Sequence, residues 1–440
     1  MKKLLFLLFI FPLITLAQQT YVPDDNFEQA LINLGYDNVL DNYISTANIN
    51  TIQYLNVSGQ FITDLTGIED FVLLKSLDCD QNQITSLDVS NNIALEHLGC
   101  GCTCSSGNLL TSLDVSQNVN LTWLQCEDNQ LTNLDVSNNP QLTYLGVGSN
   151  NLLTLDVSNN PLLQEIECGW NPLTSLDFSN NLLLRSLSSY NYPLATITSL
   201  DISLNNQLEY LNIGYNSISS ASISDKTNLT YLSVGLNPLY SLDVSNMPNL
   251  EHLLCGDVGL TSLDLSQNTV LKRLHCQENQ LTSLDVSNNP HIYWLTCENN
   301  LLTSFDVSSV HSLVTLHCDN NNLTDLDLRN GNNINFVSQY PPNPLLEPAL
   351  DVRNNPNLTC INVDDVVFST NNWTTAGGFY IDPQHYYNNN CSGSTEIEEH
   401  FTNKDLLKAT DLLGRETKGT NQPLLYLYDD GTVEKRIVIE

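Results

Sequence analysis

The sequence predicts a β-solenoid, and two regularities carry that prediction. A phrase built on Leu-Asp-Val-Ser-Asn recurs every 21 residues or a multiple of it, its Asp falling at 88, 114, 135, 156, 177, 201, 243, 264, 285, 306 and 327. Between its copies runs a second phrase, such as LTWLQCEDNQ from Leu121 and IYWLTCENN from Ile292, centred on 79, 100, 126, 147, 168, 189, 213, 234, 255, 276, 297 and 318. Both series lose register in the same two coils, by five residues after Cys100 and by three after Ser189. A short fixed period describes a stack in which each unit buries its apolar face only against its neighbours. Insertions that leave the flanking register intact belong to loops at one edge of the stack.

Each coil carries one template twice, L-x-x-L-x-(L/V/C)-x-x-N, offset by 10 and 11 residues. In an extended segment, the first and third residues of Leu-Asp-Val or Leu-Gln-Cys point the same way. Both are apolar and face the core, so the middle residue faces water. The Asn and Pro that follow, as in Asn138-Asn139-Pro140, accept tight bends. The period is too short for a helix pair, and no 3.6-residue apolar rhythm is present. Two short parallel strands per coil, joined by turns, are expected.

The signature LxxLxLxxN, read in Leu142-Thr-Tyr-Leu145-Gly-Val147-Gly-Ser-Asn150, resembles the leucine-rich repeat family. More narrowly, the chain looks like the irregular nested subclass (IRREKO) written LxxLxCxxNxLxxLDLxxN. The resemblance covers roughly Ile52 to Cys360. It implies the fold and is nearly silent on ligand. The pattern departs at Ala221-Ser222-Ile223, where the Leu-Asp pair is lost, and between Leu328 and Leu350, where YPPNPLLEP interrupts the stack.

Taken in order, residues 1–17, MKKLLFLLFIFPLITLA, read as a secretory signal peptide cut after Ala17. No cysteine follows the cut to take lipid, and no other stretch has the roughly 18 apolar residues a spanning helix needs. Residues 18–66 are expected to cap the first coil, through a helix from Asp25 with Phe27, Leu31 and Leu34 on one face. An open first coil would otherwise expose its core and strand edge. Similar VPDxNFEQAL caps precede leucine-rich repeats in secreted bacterial proteins. Residues 67–356 form the solenoid, and 357–394 cap its far end.

Residues 395–440 hold six of the 15 Lys+Arg, and alternate apolar positions in Leu424-Leu-Tyr-Leu-Tyr and Arg436-Ile-Val-Ile. A small β-domain is expected. Asp411-Leu-Leu-Gly-Arg415 and Lys435-Arg-Ile-Val-Ile439 resemble the C-terminal sorting domain of the type IX secretion system, although its N-terminal part is short here. That resemblance implies passage across a bacterial outer membrane by that machinery and removal of the tail, at a polar linker such as Asn388-Asn-Asn-Cys-Ser-Gly-Ser. A structural hairpin with no sorting role is the alternative.

Net charge is −34, which makes nucleic acid and anionic membranes poor partners. Residues 18–395 hold only seven Lys+Arg, too few for a phosphate- or sulfate-processing site without a metal. Twelve cysteines in an exported chain suggest a disulfide framework, but eight occupy the inward slot of the second phrase. Stacked strands lie about 4.8 Å apart, whereas a disulfide brings Cβ atoms to about 3.8 Å. These eight, from Cys79 to Cys318, are expected to be buried free thiols, interchangeable with Val147, Ile213 and Val234 in the same slot. Cys360 and Cys391 flank the C-terminal cap and are the expected disulfide. Cys102 and Cys104 lie in the five-residue insertion, as a disulfide or, with no His nearby, weakly as a metal site.

Two columns of side chains face outward. The Asp of the first phrase recurs in eleven coils. It either bonds backbone N–H groups and the Ser two residues on, the favoured reading, or shares Ca²⁺ with its neighbours. The second phrase varies instead. Before its second Leu come His97, Trp123, Tyr144, Tyr210, Tyr231, His252 and Trp294; Gln125, Glu167, Asn212, His275 and His317 follow two residues on. Glycines 148, 169, 214, 235 and 256 lie beyond the inward slot. Aromatics beside glycines make flat shelves for sugar rings or a partner's side chains, and Trp170, Tyr190 and Tyr215 extend the face toward its rim. Alternatively, the rings only stabilise the sheet across rungs.

His275 and Cys276 point to opposite faces, and His275 and His317 are two rungs, about 9.6 Å, apart, so neither pair holds zinc. No Ser-His-Asp elbow, HExxH or phosphate loop occurs. No enzyme and no cofactor are therefore expected. The reading is a secreted or surface-located bacterial binding protein for a protein or glycan. The rivals are a Ca²⁺-dependent, polysaccharide-acting β-helix, whose basic candidates reduce to Arg185, Lys272 and Arg273, and a passive adhesion or matrix component.

Overall fold

A computed structural model describes residues 18–102, 107–191, 196–336, 349–375 and 379–391, and the strands 406–411, 423–428 and 433–437. The expected signal peptide and cleavage linker lie largely outside these residues. The chain divides into two units, Met1–Cys391 and Ser392–Glu440.

The first unit opens with a cap built on buried carboxylates. The helix Asp25–Asn33 starts at Asp24, whose Oδ1 accepts the N–H groups of Asn26 and Phe27, both at 2.9 Å. Its Oδ2 accepts from the Thr63 hydroxyl at 2.6 Å and the Thr63 N–H at 2.8 Å, tying the helix to the first coil. Burial alone would raise the Asp24 pKa, but these bonds, Thr63 foremost, hold it below the usual carboxylate range. The fully buried Glu28 carboxylate accepts the N–H groups of Asp41, Asn42 and Tyr43. The helix buries Phe27 and Leu31 as expected, but Leu34 is 45% exposed. Leu34 is the C-cap; the chain then reverses through Gly35 at φ 82°, which swings Leu34 outward. The strands Gln19–Tyr21 and Tyr43–Ser45 pair antiparallel beside it.

The solenoid is a parallel stack. Every second phrase contributes one short strand, and fourteen strands, thirteen of three residues from Tyr54–Asn56 on and a last one of two, Leu350–Asp351, form one continuous sheet. Residues 21 apart pair along it, as in Trp123↔Tyr144. The insertions leave the ladder intact, pairing His97 with Trp123 and Ser186 with Tyr210. The Pro-rich stretch does the same: His317 pairs with Asp351, so the stack continues past it. That stretch lies outside the described residues.

The first phrase forms a ladder only in part. Strands Ser304–Asp306, Asp325–Asp327, Cys360–Asn362 and Tyr386–Asn388 make a four-stranded sheet. Earlier coils show isolated bridges, such as Asp88↔Asp114. The inward–outward alternation holds throughout: Leu134 and Val136 are buried and Asp135 is exposed. In all eleven coils, the Asp Oδ1 accepts the N–H two residues on, as Asp135 does from Ser137 at 2.9 Å. This Asx turn ends the extended run just after the Asp, leaving at most three residues for a ladder.

Asparagines supply the coil-to-coil bonds that short strands cannot. After the second phrase, Asn150 Oδ1 accepts the Leu131 N–H at 2.9 Å, and its Nδ2 donates to Cys126 O at 3.0 Å and Val147 O at 3.1 Å. The same pattern recurs at Asn129, Asn279 and Asn300. After the first phrase, Asn139 Nδ2 donates to Val115 O and Asn118 O of the preceding coil. Buried backbone carbonyls on both edges are thereby paired. The irregular coil at Ala221-Ser222-Ile223 puts Lys226 in this asparagine slot. Its fully buried side chain donates to Ser203 O and Asn206 Oδ1, both at 3.2 Å, and pairs with Asp225 at 2.9 Å.

The core is columns of Leu with the eight second-phrase cysteines, all free and buried. Burial raises their thiol pKa values, so they stay protonated and pack as small apolar groups. Beyond the last coils, the helix Val366–Asn372 is capped by Asp365, which accepts the Phe368 N–H at 2.9 Å. Trp373 fills the end of the core, edge-on to Phe336 and Tyr387. Cys360 and Cys391 form a disulfide here, with Cα atoms 5.7 Å apart. In the second unit, strands Leu406–Asp411, Pro423–Tyr428 and Val433–Ile437 make a three-stranded antiparallel sheet.

Candidate functional site

The second-phrase sheet presents three outward columns. The strand residue before each central Leu lies in the first, the residue after it in the second, and the residue beyond the inward slot in the third. A residue in the left-handed conformation follows, at Ser149, Trp170, Tyr215 and Leu236 among others, with φ of 53 to 57°. The asparagine ladder fixes that bend in coil after coil, so even Trp170 and Tyr215 adopt a conformation bulky residues disfavour.

The ten expected recognition residues separate into three groups. His97, Trp123 and Tyr144 stack in the first column, Trp123 over Tyr144 with centroids 3.7 Å apart and planes 8° apart. Tyr210, Tyr231 and His252 continue it three rungs later, the two tyrosines 4.4 Å apart. Arg273 then lies over the Trp294 ring at 4.7 Å, and His275 stacks against the same indole. Between the runs, the first column holds Glu165 and Ser186. At those coils the aromatics move to the far columns: Trp170 contacts Tyr190 at 5.7 Å, and Tyr190 contacts Tyr215 at 4.6 Å.

The expectation of open shelves needs correction in two places. Tyr144 is only 7% exposed. It lies under Trp123 and donates its hydroxyl to Glu127 Oε1 at 3.1 Å, so it supports the face from below. The third-column glycines also serve the stack itself. A Cβ on Gly169 would collide with the backbone of Tyr190 in the next rung, and one on Gly101 with that of Glu127. Close rung approach requires glycine at these two positions.

Where the aromatic line steps sideways, the surface opens into a depression of about 560 Å³. Its lining includes Glu127, Asp128, Glu167, Trp170, Tyr190 and Asn212. Glu127 is 4% exposed, folded over Gly146. Burial pushes its carboxyl up to about 7, helped by Glu167 and Asp80 and opposed by its own backbone N–H and the Tyr144 hydroxyl. Burial also raises Glu167, with Glu165 adding to it. Nearby, burial and Asp78 push Asp80 up to about 6, and His97 Nε2 lies 3.0 Å from Asp78. Of these carboxylates, only Glu167 stood out in the sequence as part of the face. The available signal was the pair of insertions: Cys102 and Tyr190, at the start of each, both line the depression.

The other candidates lie elsewhere. The Asp column is occupied with its own Asx turns, and the Ser hydroxyl and N–H hold these carboxyls below the usual range. Burial and the charge of Arg273 push His275 down to about 4, leaving it neutral. Among the described residues, no group of three His, Cys, Asp or Glu could hold a metal ion. Cys102 is disulfide-bonded; Cys104 lies outside the described residues. No described helix is long and apolar enough to cross a membrane.

No protein-family model matches the chain, and no curated protein sequence does. Solved structures do match. The functional domain of InlJ from Listeria monocytogenes, described as including a cysteine ladder, is 26% identical, covers 96% of this chain and 99% of its own, and superposes with a TM-score of 0.58. The internalin InlF from Listeria monocytogenes is 19% identical over 78% of this chain and 92% of its own, with a TM-score of 0.55. A Leptospira interrogans leucine-rich repeat protein is 19% identical over 73% and 92%, with a TM-score of 0.50. The parallel solenoid with its 21-residue coil is thus the fold of leucine-rich repeat proteins, the internalins among them.

Proposed function

We propose that this chain is an exported bacterial binding protein that recognises a protein ligand at or near a cell surface through the outward face of its fourteen-stranded sheet. One observation carries the reading: inward residues of this sheet are small or aliphatic in every rung while its outward residues vary and gather aromatic groups. His97 and Trp123, Tyr210 to His252, and Trp294 with Arg273 form two half-buried stacks on one rigid surface. Trp, Tyr and Arg are the residues that most often anchor protein interfaces. The internalin neighbours support an adhesion or interaction role by analogy of fold. A glycan ligand is the alternative, since stacked rings also suit sugars. In this reading, the three-stranded tail is a type IX sorting domain, removed on export.

The test is a screen of the full chain against cell-surface protein and glycan arrays, followed by Trp123→Ala and Tyr231→Ala. Saturable binding that both variants weaken while melting temperature holds supports the reading. Binding untouched by either variant, or polymer cleavage without binding, would sink it. Tyr144→Ala is unsuitable, because it also releases Glu127.

A further inference from the structure

We propose that the depression beside Glu127 receives a basic side chain, Lys or Arg, from a partner protein, with the Glu127 carboxylate and the Trp170 ring as its two principal contacts. This rests on reading the sheet as a protein-recognition face, and it names what one part of that face binds.

Three observations converge on a cation. The first is a carboxylate oxygen with an unmet need. Glu127 is nine-tenths buried; Tyr144 satisfies its Oε1, while its buried Oε2 has no hydrogen-bond partner among the described residues. Buried carboxylate oxygens are ordinarily paired, so the donor comes from outside, as water in the free protein and as a ligand group when the site is filled.

The second is charge. Glu127, Asp128 and Glu167 line the depression, and no Lys, Arg or His is among its described lining residues. Among the described residues of the first unit, the basic side chains are engaged elsewhere. Of the seven Lys and Arg between residues 18 and 391, six form ion pairs elsewhere and the seventh, Arg273, lies over Trp294. Neither insertion contributes a basic residue.

The third is the ring wall. Trp170, 46% exposed, leans on Tyr190, which leans on Tyr215. A cation between an indole face and carboxylates gains from both. A sugar hydroxyl could satisfy Oε2 but would bring no charge to Glu127 and Glu167, whereas an ammonium or guanidinium answers both needs. The volume lies within the usual range for ligand sites, roughly 300–1,000 Å³. The overall charge of −34 draws basic partners toward the surface.

The groups facing Glu127 are Tyr144, Glu167, Asp80 and the neighbouring Asp128, none of them basic. A bound cation favours the ionised carboxylate, so affinity rises as pH increases from 5 to 8.

The experiment uses the full chain labelled with 5-fluorotryptophan, the Trp170 ¹⁹F signal being assigned by its loss in Trp170→Phe. It is titrated with Nα-acetyl-arginine amide, Nα-acetyl-lysine amide, the neutral isostere Nα-acetyl-citrulline amide, and cellotriose. Expected are saturable shifts with the cationic amides, and affinities about tenfold weaker for citrulline amide, for cellotriose and for the cationic amides on Glu127→Gln. Glu167→Gln gives a smaller loss, Asp135→Asn on the opposite side none, and thermal melts exclude unfolding as the cause. Equal affinity for citrulline amide, or unchanged affinity in Glu127→Gln, overturns the proposal, and preference for cellotriose reassigns the site to glycans. The Trp123→Ala screen reads the aromatic stack and this titration reads the depression, so either can fail alone.

Discussion

The two halves of each coil follow the same template and differ in what they allow outward. On the first-phrase side, one solution is repeated eleven times: an exposed Asp bonds the backbone two residues on. On the second-phrase side, the inward slots keep to Leu or Ile and to Cys, Val, Ile or Ser, while the outward positions hold His, Trp, Tyr, Glu, Ser, Arg and Thr in turn. A contact that closes within its own turn needs nothing from its neighbours and can repeat without limit. A surface built from adjacent rungs acquires meaning from their order. Monotony marks the side that holds the coil's shape, and variation marks the side free to recognise.

Three changes test that contrast, the largest expected effect first. If the inward cysteines are apolar filler, Cys297→Ala should cost about 1 kcal/mol and Cys297→Ser more, about 1–3 kcal/mol, because a buried hydroxyl lacks a partner. Urea unfolding of the full chain reads the difference, and equal tolerance of the two would refute the apolar role. Next comes the pH dependence of stability. Glu127 is raised to about 7 when folded, so its contribution is fully present below its unfolded pKa, about 4.3, and is lost as pH rises toward and through 7. Between pH 5 and 8, Glu127→Gln should flatten the decline in melting temperature; identical slopes would mean that the carboxyl is not strained by burial.

The smallest effects belong to the Asp column. Its carboxyls are held low by Ser partners, so their stabilisation is present above the unfolded pKa, about 3.9, and fades as pH falls through the folded values. Asp135→Asn keeps an acceptor for the Ser137 N–H and should leave the melting temperature nearly unchanged, while Asp135→Ala lowers it slightly. Added Ca²⁺ should change neither protein. A Ca²⁺-dependent rise in the wild type, lost in both variants, would give the monotonous side a ligand after all.

Much of this was legible because the repeat averages out local ambiguity. One Leu-Asp-Val could be helix, strand or turn, but eleven in register could only be a stack. The inward position of Cys79 to Cys318 followed from alternation alone. Leu34 was misjudged because helical periodicity says nothing of where the helix stops, and Gly35 ends it one residue too soon. Tyr144 looked like its neighbours in the column and proved buried, because its environment is set by Trp123 one rung before and by Glu127, a residue of another column. Lys226 gave no sign of being interior; only the asparagine ladder identified its slot.

The sequence by itself determined the coil, its period, which residues face the core and which face water. Those follow from backbone geometry and the cost of exposing apolar groups, and both act within one repeat. Only the tertiary structure decided that Glu127, Glu167, Trp170 and Tyr190 share one depression. They come from three coils, and from two outward columns and the left-handed bend beyond them, and their meeting depends on how far each rung is offset from the last. A 21-residue period is silent on that quantity, and it decides which outward side chains can touch one ligand.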